Sequence, residues 1–207
     1  MRSLRAQRSA IVIALGVATL LSGAVHGAGG TLVPNGGCRD GQPNGAYELR
    51  GNDGRLRVVG AFHDGRRTGT FIFWNGSGAR IAAIPYDENV RNGTIALWHV
   101  RGRPSHEIGR RLEAPVVKGE PHGVHRAWHL NGKLQYEATY EHGRLASAKA
   151  WDANGRALAE AEAQRIALAA RKRDEAYVAM LEKMVADHQP RCDDSARAEL
   201  AIVHRRS

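Results

Sequence analysis

With 207 residues, 43% of them hydrophobic, the chain is long enough to bury a core, yet only 6% are aromatic while 24 are glycine. That balance belongs to a turn-rich repeat protein and argues against a large enzyme built around a deep apolar pocket. The formal net charge of +9 makes the chain basic and favours anionic partners over cationic ones.

Residues 1–27 read as a secretory signal peptide. Arg2, Arg5 and Arg8 form a basic start, residues 10–21 are an apolar run, and small residues follow through Ala28. As an uncleaved anchor the run would be short, since about 20 apolar residues are needed to span a bilayer. Cleavage fits after Gly27, with Val25 at −3, or after Ala24, with Ser22 at −3. Leu21-Ser22-Gly23 is followed by Ala24, where a lipoprotein signal requires Cys, so the expected product is periplasmic or secreted without a lipid anchor. Losing three arginines takes the charge from +9 to +6 (9 − 3).

Residues 28–40 read as an N-terminal linker carrying Cys38, and the second cysteine is Cys192. In an oxidising compartment such a pair favours a disulfide, with an intermolecular bridge or two free thiols as the alternatives. Closing so long a loop is worth about 4–5 kcal/mol in the chain-entropy model. No metal or cofactor is expected at either cysteine.

Residues 41–158 carry an internal repeat. Taking Gly45, Gly69, Gly93, Gly123 and Ala146 as openers, nine positions later stand Gly54, Gly78, Gly102, Gly132 and Gly155. Five positions after the openers stand Arg50, Trp74, Trp98, Trp128 and Trp151, so all four tryptophans share one repeat position. Phe62, Tyr86 and Tyr140 recur at seventeen positions and Gly65, Asn89 and Gly143 at twenty; the third unit fits with about six residues inserted, which puts Gly119 on its closing turn.

Each unit reads as a hairpin. In residues 123–143 a strand ends at Trp128, Asn131-Gly132 is expected to make a tight turn with positive φ at both positions, and a second strand leads to a closing turn at His142-Gly143. Leu134, Tyr136, Ala138 and Tyr140 alternate with Gln135, Glu137 and Thr139, just as Leu56, Val58, Gly60 and Phe62 alternate around Arg57. Period two with one wet face predicts an antiparallel meander. The opening glycines are expected to let backbones pass closely, and the glycines nine positions on to take the left-handed conformation. One hairpin cannot bury enough surface alone, so the Trp and Tyr ladder is expected to be core. The fold class is therefore mainly β: an antiparallel meander of about five hairpin repeats with a C-terminal helical cap over residues 159–207.

The third unit breaks the regularity. Arg101, Arg103, Arg110, Arg111 and Lys118 cluster there, interrupted by His106, Glu107 and Glu113. This is either a basic binding segment for an anionic partner or a charged stretch protecting a strand edge. His122, His125 and His129 invite a metal reading, but His125 and His129 on one strand stand about 13 Å apart, too far to share an ion. The histidines are expected on the wet face. No His-Glu-x-x-His or Gly-x-Ser-x-Gly is present, Gly76-Ser77-Gly78 fits a hairpin turn, and Asp193-Asp194 fits a helix N-cap, so catalysis is not expected.

Between Arg156 and Asp187 neither Gly nor Pro occurs, and Ala, Glu, Arg and Lys dominate, which predicts a helix. Ile166, Ala170, Arg173, Tyr177, Met180 and Met184 recur at steps of four and three as its expected seam. Tyr177, Met180, Leu181 and Met184 serve as a cap packed on the sheet, or the seam is a partner-binding or dimerising surface or a membrane-surface helix. Pro190 is expected to stop the helix, and residues 194–204 to form a second short one.

Asn44-Gly45-Ala46-Tyr47, Thr68-Gly69-Thr70-Phe71-Ile72-Phe73-Trp74, Arg91-Asn92-Gly93-Thr94-Ile95-Ala96-Leu97-Trp98 and residues 123–143 resemble the MORN-repeat family in its bacterial, antitoxin-like variant. The resemblance implies a non-enzymatic interaction or membrane-associated module, in some bacterial members an antitoxin or immunity component. Arg50 in place of an aromatic, the inserted third unit and the truncated fifth depart from the pattern. The expected function is an exported, non-catalytic protein-protein interaction module of the cell envelope. The alternative is a basic adaptor for anionic lipid or lipopolysaccharide, with an enzyme third. Nucleic acid is not an expected partner of an exported chain.

Overall fold

The computed structural model describes residues 31–102, 104 and 106–192; the expected leader, Arg103, Asp193-Asp194 and the expected short helix over residues 194–204 lie outside them. The described residues form β1 (Leu32–Arg39), β2 (Gln42–Gly51), β3 (Leu56–His63), β4 (Arg66–Trp74), β5 (Arg80–Asp87), β6 (Val90–Arg91), β7 (Gly93–Arg101), β8 (His106–Val117), β9 (Glu120–Pro121), β10 (Gly123–Trp128), β11 (Leu134–Glu141), β12 (Arg144–Ala150) and α1 (Glu160–Asp187). The strands make one antiparallel sheet in chain order from β1 to β12, with the two-residue β6 and β9 set beside β5 and β8. This is the mainly β meander with a C-terminal helix that the alternation predicts.

Two kinds of turn alternate along it. Asp40-Gly41, Asp64-Gly65, Glu88-Asn89, Lys118-Gly119 and His142-Gly143 have positive φ at both residues, the two-residue hairpin geometry that matches strand twist. At Asn131-Gly132 only the glycine is left-handed, at φ 80°. There the Gly132 N–H donates to the His129 carbonyl, the Asn131 side chain accepts from the Lys133 N–H, and the register shifts beside Trp128, so this is a longer turn ending in a glycine. Gly45, Gly69 and Gly123 take positive φ opposite Phe62, Tyr86 and Tyr140 with no atom closer than 3.9 Å to a would-be Cβ, whereas Gly93 pairs Val116 and its Cβ would lie 2.9 Å from Pro85. Closer approach falls at Gly60, where a Cβ would lie 2.6 Å from the Phe71 ring. The segment read as a linker supplies β1, paired to β2 through the Asp40-Gly41 turn.

One face of the sheet is the core. A continuous cross-strand row runs Leu49, Val58, Phe73, Ala82, Leu97, Leu112, Ala127, Tyr136 and Ala150, every member buried. Beside it Tyr47, Phe62, Phe71 and Tyr86 stack edge to face, with successive centroids 5.3, 5.6 and 5.4 Å apart. The tyrosine and phenylalanine ladder is thus core, but the tryptophans are not part of it. They stand one residue beyond the last inward position of their strand, and strand alternation turns them to the other face.

The helix lies across the core face. Its buried stripe is Ala163, Ala167, Ala170, Asp174, Val178, Leu181 and Val185, not the seam expected from the sequence. Of the seam only Ala170 belongs to the stripe, and of the residues expected to cap the sheet Leu181 does; Met180 is 57% exposed, and Ile166, Tyr177 and Met184 flank the contact. The alanine half of the stripe leads from β12 with its small Ala148 and Ala150, and Val178, Leu181 and Val185 run toward the aromatic end; a search for large apolar side chains overlooks the alanine half. The helix starts at Glu160 rather than Arg156, because residues 151–158 stay with the sheet through a Trp151–Ala157 bridge and a Leu158 N–H donated to Ala150.

Helix length and sheet width agree. Twenty-eight residues at about 1.5 Å span roughly 42 Å, and nine steps between ten strands at about 4.8 Å span roughly 43 Å. The attachments follow in order. Arg171 donates to the Gly143 carbonyl at 2.8 Å beside β12, and Asp174 pairs with Arg111 of β8 at 2.7 Å. Glu182 accepts from Tyr86 of β5 and from Arg91, both at 2.8 Å, and the Tyr47 hydroxyl of β2 donates to the His188 carbonyl at 2.8 Å. Burial alone would raise the Glu182 carboxyl, but Arg91, Tyr86 and Arg67 together hold it below its usual range. The Cys38–Cys192 disulfide then ties the end of the chain's crossing to β1.

Candidate functional site

The opposite face is where side chains remain available. Its central row, read strand by strand, is Glu48, Val59, Ile72, Ala83, Ala96, Glu113, Arg126, Glu137 and Lys149. The row changes character halfway: Val59, Ile72, Ala83 and Ala96 are apolar, whereas from Glu113 onward the charges alternate. Arg126 and Glu137 pair at 2.8 Å, and Arg110 and Glu113 at 3.4 Å. Exposed pairs of this kind contribute little stability, about 0–1 kcal/mol; they mark the second half as a solvated surface.

Trp74 and Trp98 border the apolar half. Trp98, 8% exposed, lies between two guanidinium groups, with Arg80 at 4.0 Å and Arg110 at 4.5 Å from its ring. Glu107 holds Arg80 in place through two hydrogen bonds of 3.1 Å. Ile72, Trp74, Arg80, His106 and Glu107 line an open depression here. In the first unit Arg50 takes the tryptophan position and bonds Glu48 and the Gly54 carbonyl instead.

The basic segment of the third unit does not form one patch. Arg101 ends β7 at one tip of the long β7–β8 hairpin, and Lys118 lies in the turn past the other end of β8, about 35–40 Å away at strand rise. Arg110 faces outward on Trp98. Arg111, its neighbour, is skipped where Leu97 pairs Leu112 and Trp98 pairs Arg110, and this bulge re-aims it to the helix, onto Asp174 and over Tyr177. The six-residue insertion is absorbed as a longer hairpin.

The histidines likewise divide. His99 and His129 each bond, through Nε2, the carbonyl of the next unit's tryptophan, Trp128 at 2.8 Å and Trp151 at 2.9 Å, so they staple neighbouring repeats. Both stand six positions after an opener, a regularity readable in the sequence. His125 is not on the wet face: it is 6% exposed, bonds the Pro115 carbonyl at 2.9 Å and stacks 4.4 Å from the Tyr140 ring. Among the described residues no group of three His, Cys, Asp or Glu is placed to hold a metal, and no helix is long and apolar enough to cross a membrane.

Burial pushes the His125 pKa down; the Pro115 carbonyl opposes it, Arg171 adds to it, and Glu175 opposes it. Because the folded value lies below the unfolded one, the unfolded chain binds the proton first. The contribution is complete above the unfolded value of about 6.5 and is lost as pH falls toward the folded pKa. Denaturant unfolding at pH 7 and pH 5 is expected to show lower stability at pH 5, and His125→Gln to flatten that difference. An equal pH response in the variant would remove His125 as the cause.

Compared with protein-family models and with curated proteins, the chain matches none.

Proposed function

We propose that this chain is an exported, non-catalytic binding module of the bacterial cell envelope, built from MORN-like repeats, that takes a protein partner on the face opposite its helix. The observation that carries the reading is the asymmetry of the sheet. One face is covered across its width by the chain's own helix, while the other carries partly exposed Val59, Ile72, Ala83 and Trp74, with Ala96 and Trp98 buried among them. Apolar surface bordered by aromatic and arginine side chains has the composition of a protein-interface centre. The disulfide fits an oxidising compartment. An immunity or antitoxin role is the specific form that the resemblance suggests. Arg101, Arg110, Arg111 and Lys118, divided between two faces and two ends, give an anionic lipid surface less to hold.

The test is recovery of a C-terminally tagged chain from the envelope fraction at moderately high salt, beside an Ile72→Lys variant that places a charge in the apolar row. One protein in near-stoichiometric amount on the parent chain, and its loss from the variant at unchanged melting temperature, is the expected result. Equal recovery on both would remove this face as the interface.

A further inference from the structure

The midpoint of the helix and the tips of the third and fourth hairpins enclose a groove of about 470 Å³, lined among others by His99, Arg111, Trp128, His129, Gln135 and Arg173. We infer that this groove binds an anionic saccharide, its carboxylate held by Arg111 and Arg173, its hydroxyls by Gln135 and the Nδ1 atoms of His99 and His129, and its apolar face by Leu130. The site is separate from the apolar row on the opposite face and does not depend on it.

Charge comes first. Arg111 and Arg173 converge on Asp174 at 2.7 and 3.4 Å, two cations on one carboxylate, leaving a net formal charge of +1 (2 − 1). Arg111 reaches Asp174 through Nη1 and Arg173 through Nε, so each keeps guanidinium N–H groups that no described residue engages. A guanidinium pair in excess of its counter-charge, Arg111 largely covered and Arg173 exposed, is a carboxylate acceptor site. Asp174, itself only 6% exposed, fixes the pair without neutralising it.

The remaining lining suits a sugar rather than a bare ion. Gln135 is the residue skipped at the bulge of its hairpin, between Leu134 and Tyr136, and its amide makes no hydrogen bond to a described residue, leaving a donor and an acceptor for adjacent hydroxyls. His99 and His129 spend only Nε2 on the next unit, so each retains Nδ1. Leu130, 60% exposed, adds apolar surface that the carbon-bound face of a pyranose covers. The volume is that of a small-ligand site.

The test is a calorimetric and amide-shift titration of the exported full chain with cellobiouronic acid, cellobiose and inorganic phosphate. The acid is expected to bind at least about tenfold more tightly than cellobiose, with shifts at His99, Trp128, Leu130, Gln135 and Arg173. Arg173→Gln and Gln135→Ala, both outside the packed core, are expected to weaken it several-fold at unchanged melting temperature. Absent binding, equal affinity for acid and neutral sugar, phosphate reproducing the same shifts and affinity, or affinity unchanged in both variants would each overturn the inference.

Discussion

Replacing both Cys38 and Cys192 by serine is expected to lower the unfolding free energy by about 5 kcal/mol and the melting temperature by about 10–20 °C. The bridge joins residues 154 apart, so the unfolded chain without it regains the freedom of nearly the whole described region. The native state should also loosen unevenly. The N-terminal end of the helix follows β12 within ten residues, whereas its C-terminal end rests on the far strands through Glu182, His188 and the disulfide. Hydrogen exchange in the serine variant is therefore expected to rise more at Leu181 and Val185 than at Ala163 and Ala167. Unchanged melting in the variant, or uniform exchange along the helix, would show that noncovalent packing alone holds it down.

The second large effect lies under that helix. Phe71 is fully buried and edge-packed on Phe62 and Tyr86, and its ring lies over Gly60. Phe71→Ala is expected to cost about 3–5 kcal/mol. Gly60→Ala is expected to cost about 1–3 kcal/mol, because the added methyl would stand 2.6 Å from the ring. Gly60 takes an ordinary strand conformation, so only the ring excludes a side chain there. In the Phe71→Ala background the glycine substitution should then change sign, becoming neutral or stabilising by about 0.4–1 kcal/mol, as the unfolded chain loses freedom. A double-mutant cycle by urea unfolding reads this coupling; strictly additive costs would mean that the backbone, not the ring, demands glycine.

The repeat made much of this legible beforehand. Offsets of five, nine, seventeen and twenty positions located every turn and second strand from β2 to β11, since a two-residue period and left-handed glycines leave little choice of register. The same offsets contained more than was read from them. Asp40-Gly41 precedes Asp64-Gly65 by one 24-residue period, which signals β1. The position of Trp74 and its equivalents, one past Phe73, signals that the tryptophans leave the core. The bulge itself recurs from unit to unit, skipping Arg57, Ile81, Arg111 and Gln135; what no offset carried was that Arg111 turns there to the helix. In a regular strand, neighbours in sequence simply alternate faces; here Leu97 pairs Leu112 while Trp98 pairs Arg110, and the skipped residue turns to the helix. A basic cluster in the chain was for that reason two unrelated environments in space.

The sequence by itself determined the meander, its units and the presence of a terminal helix, because these follow from local periodicity and from backbone geometry that only certain residues adopt. The tertiary structure alone decided which face that helix covers, and hence which face is left free. Its packing stripe is alanine-rich and centred on an aspartate, and neither residue type announces a contact until the aromatic sheet and Arg111 are placed opposite it. Burial on both sides of an interface is a joint property of two surfaces, and a one-dimensional pattern records each of them separately.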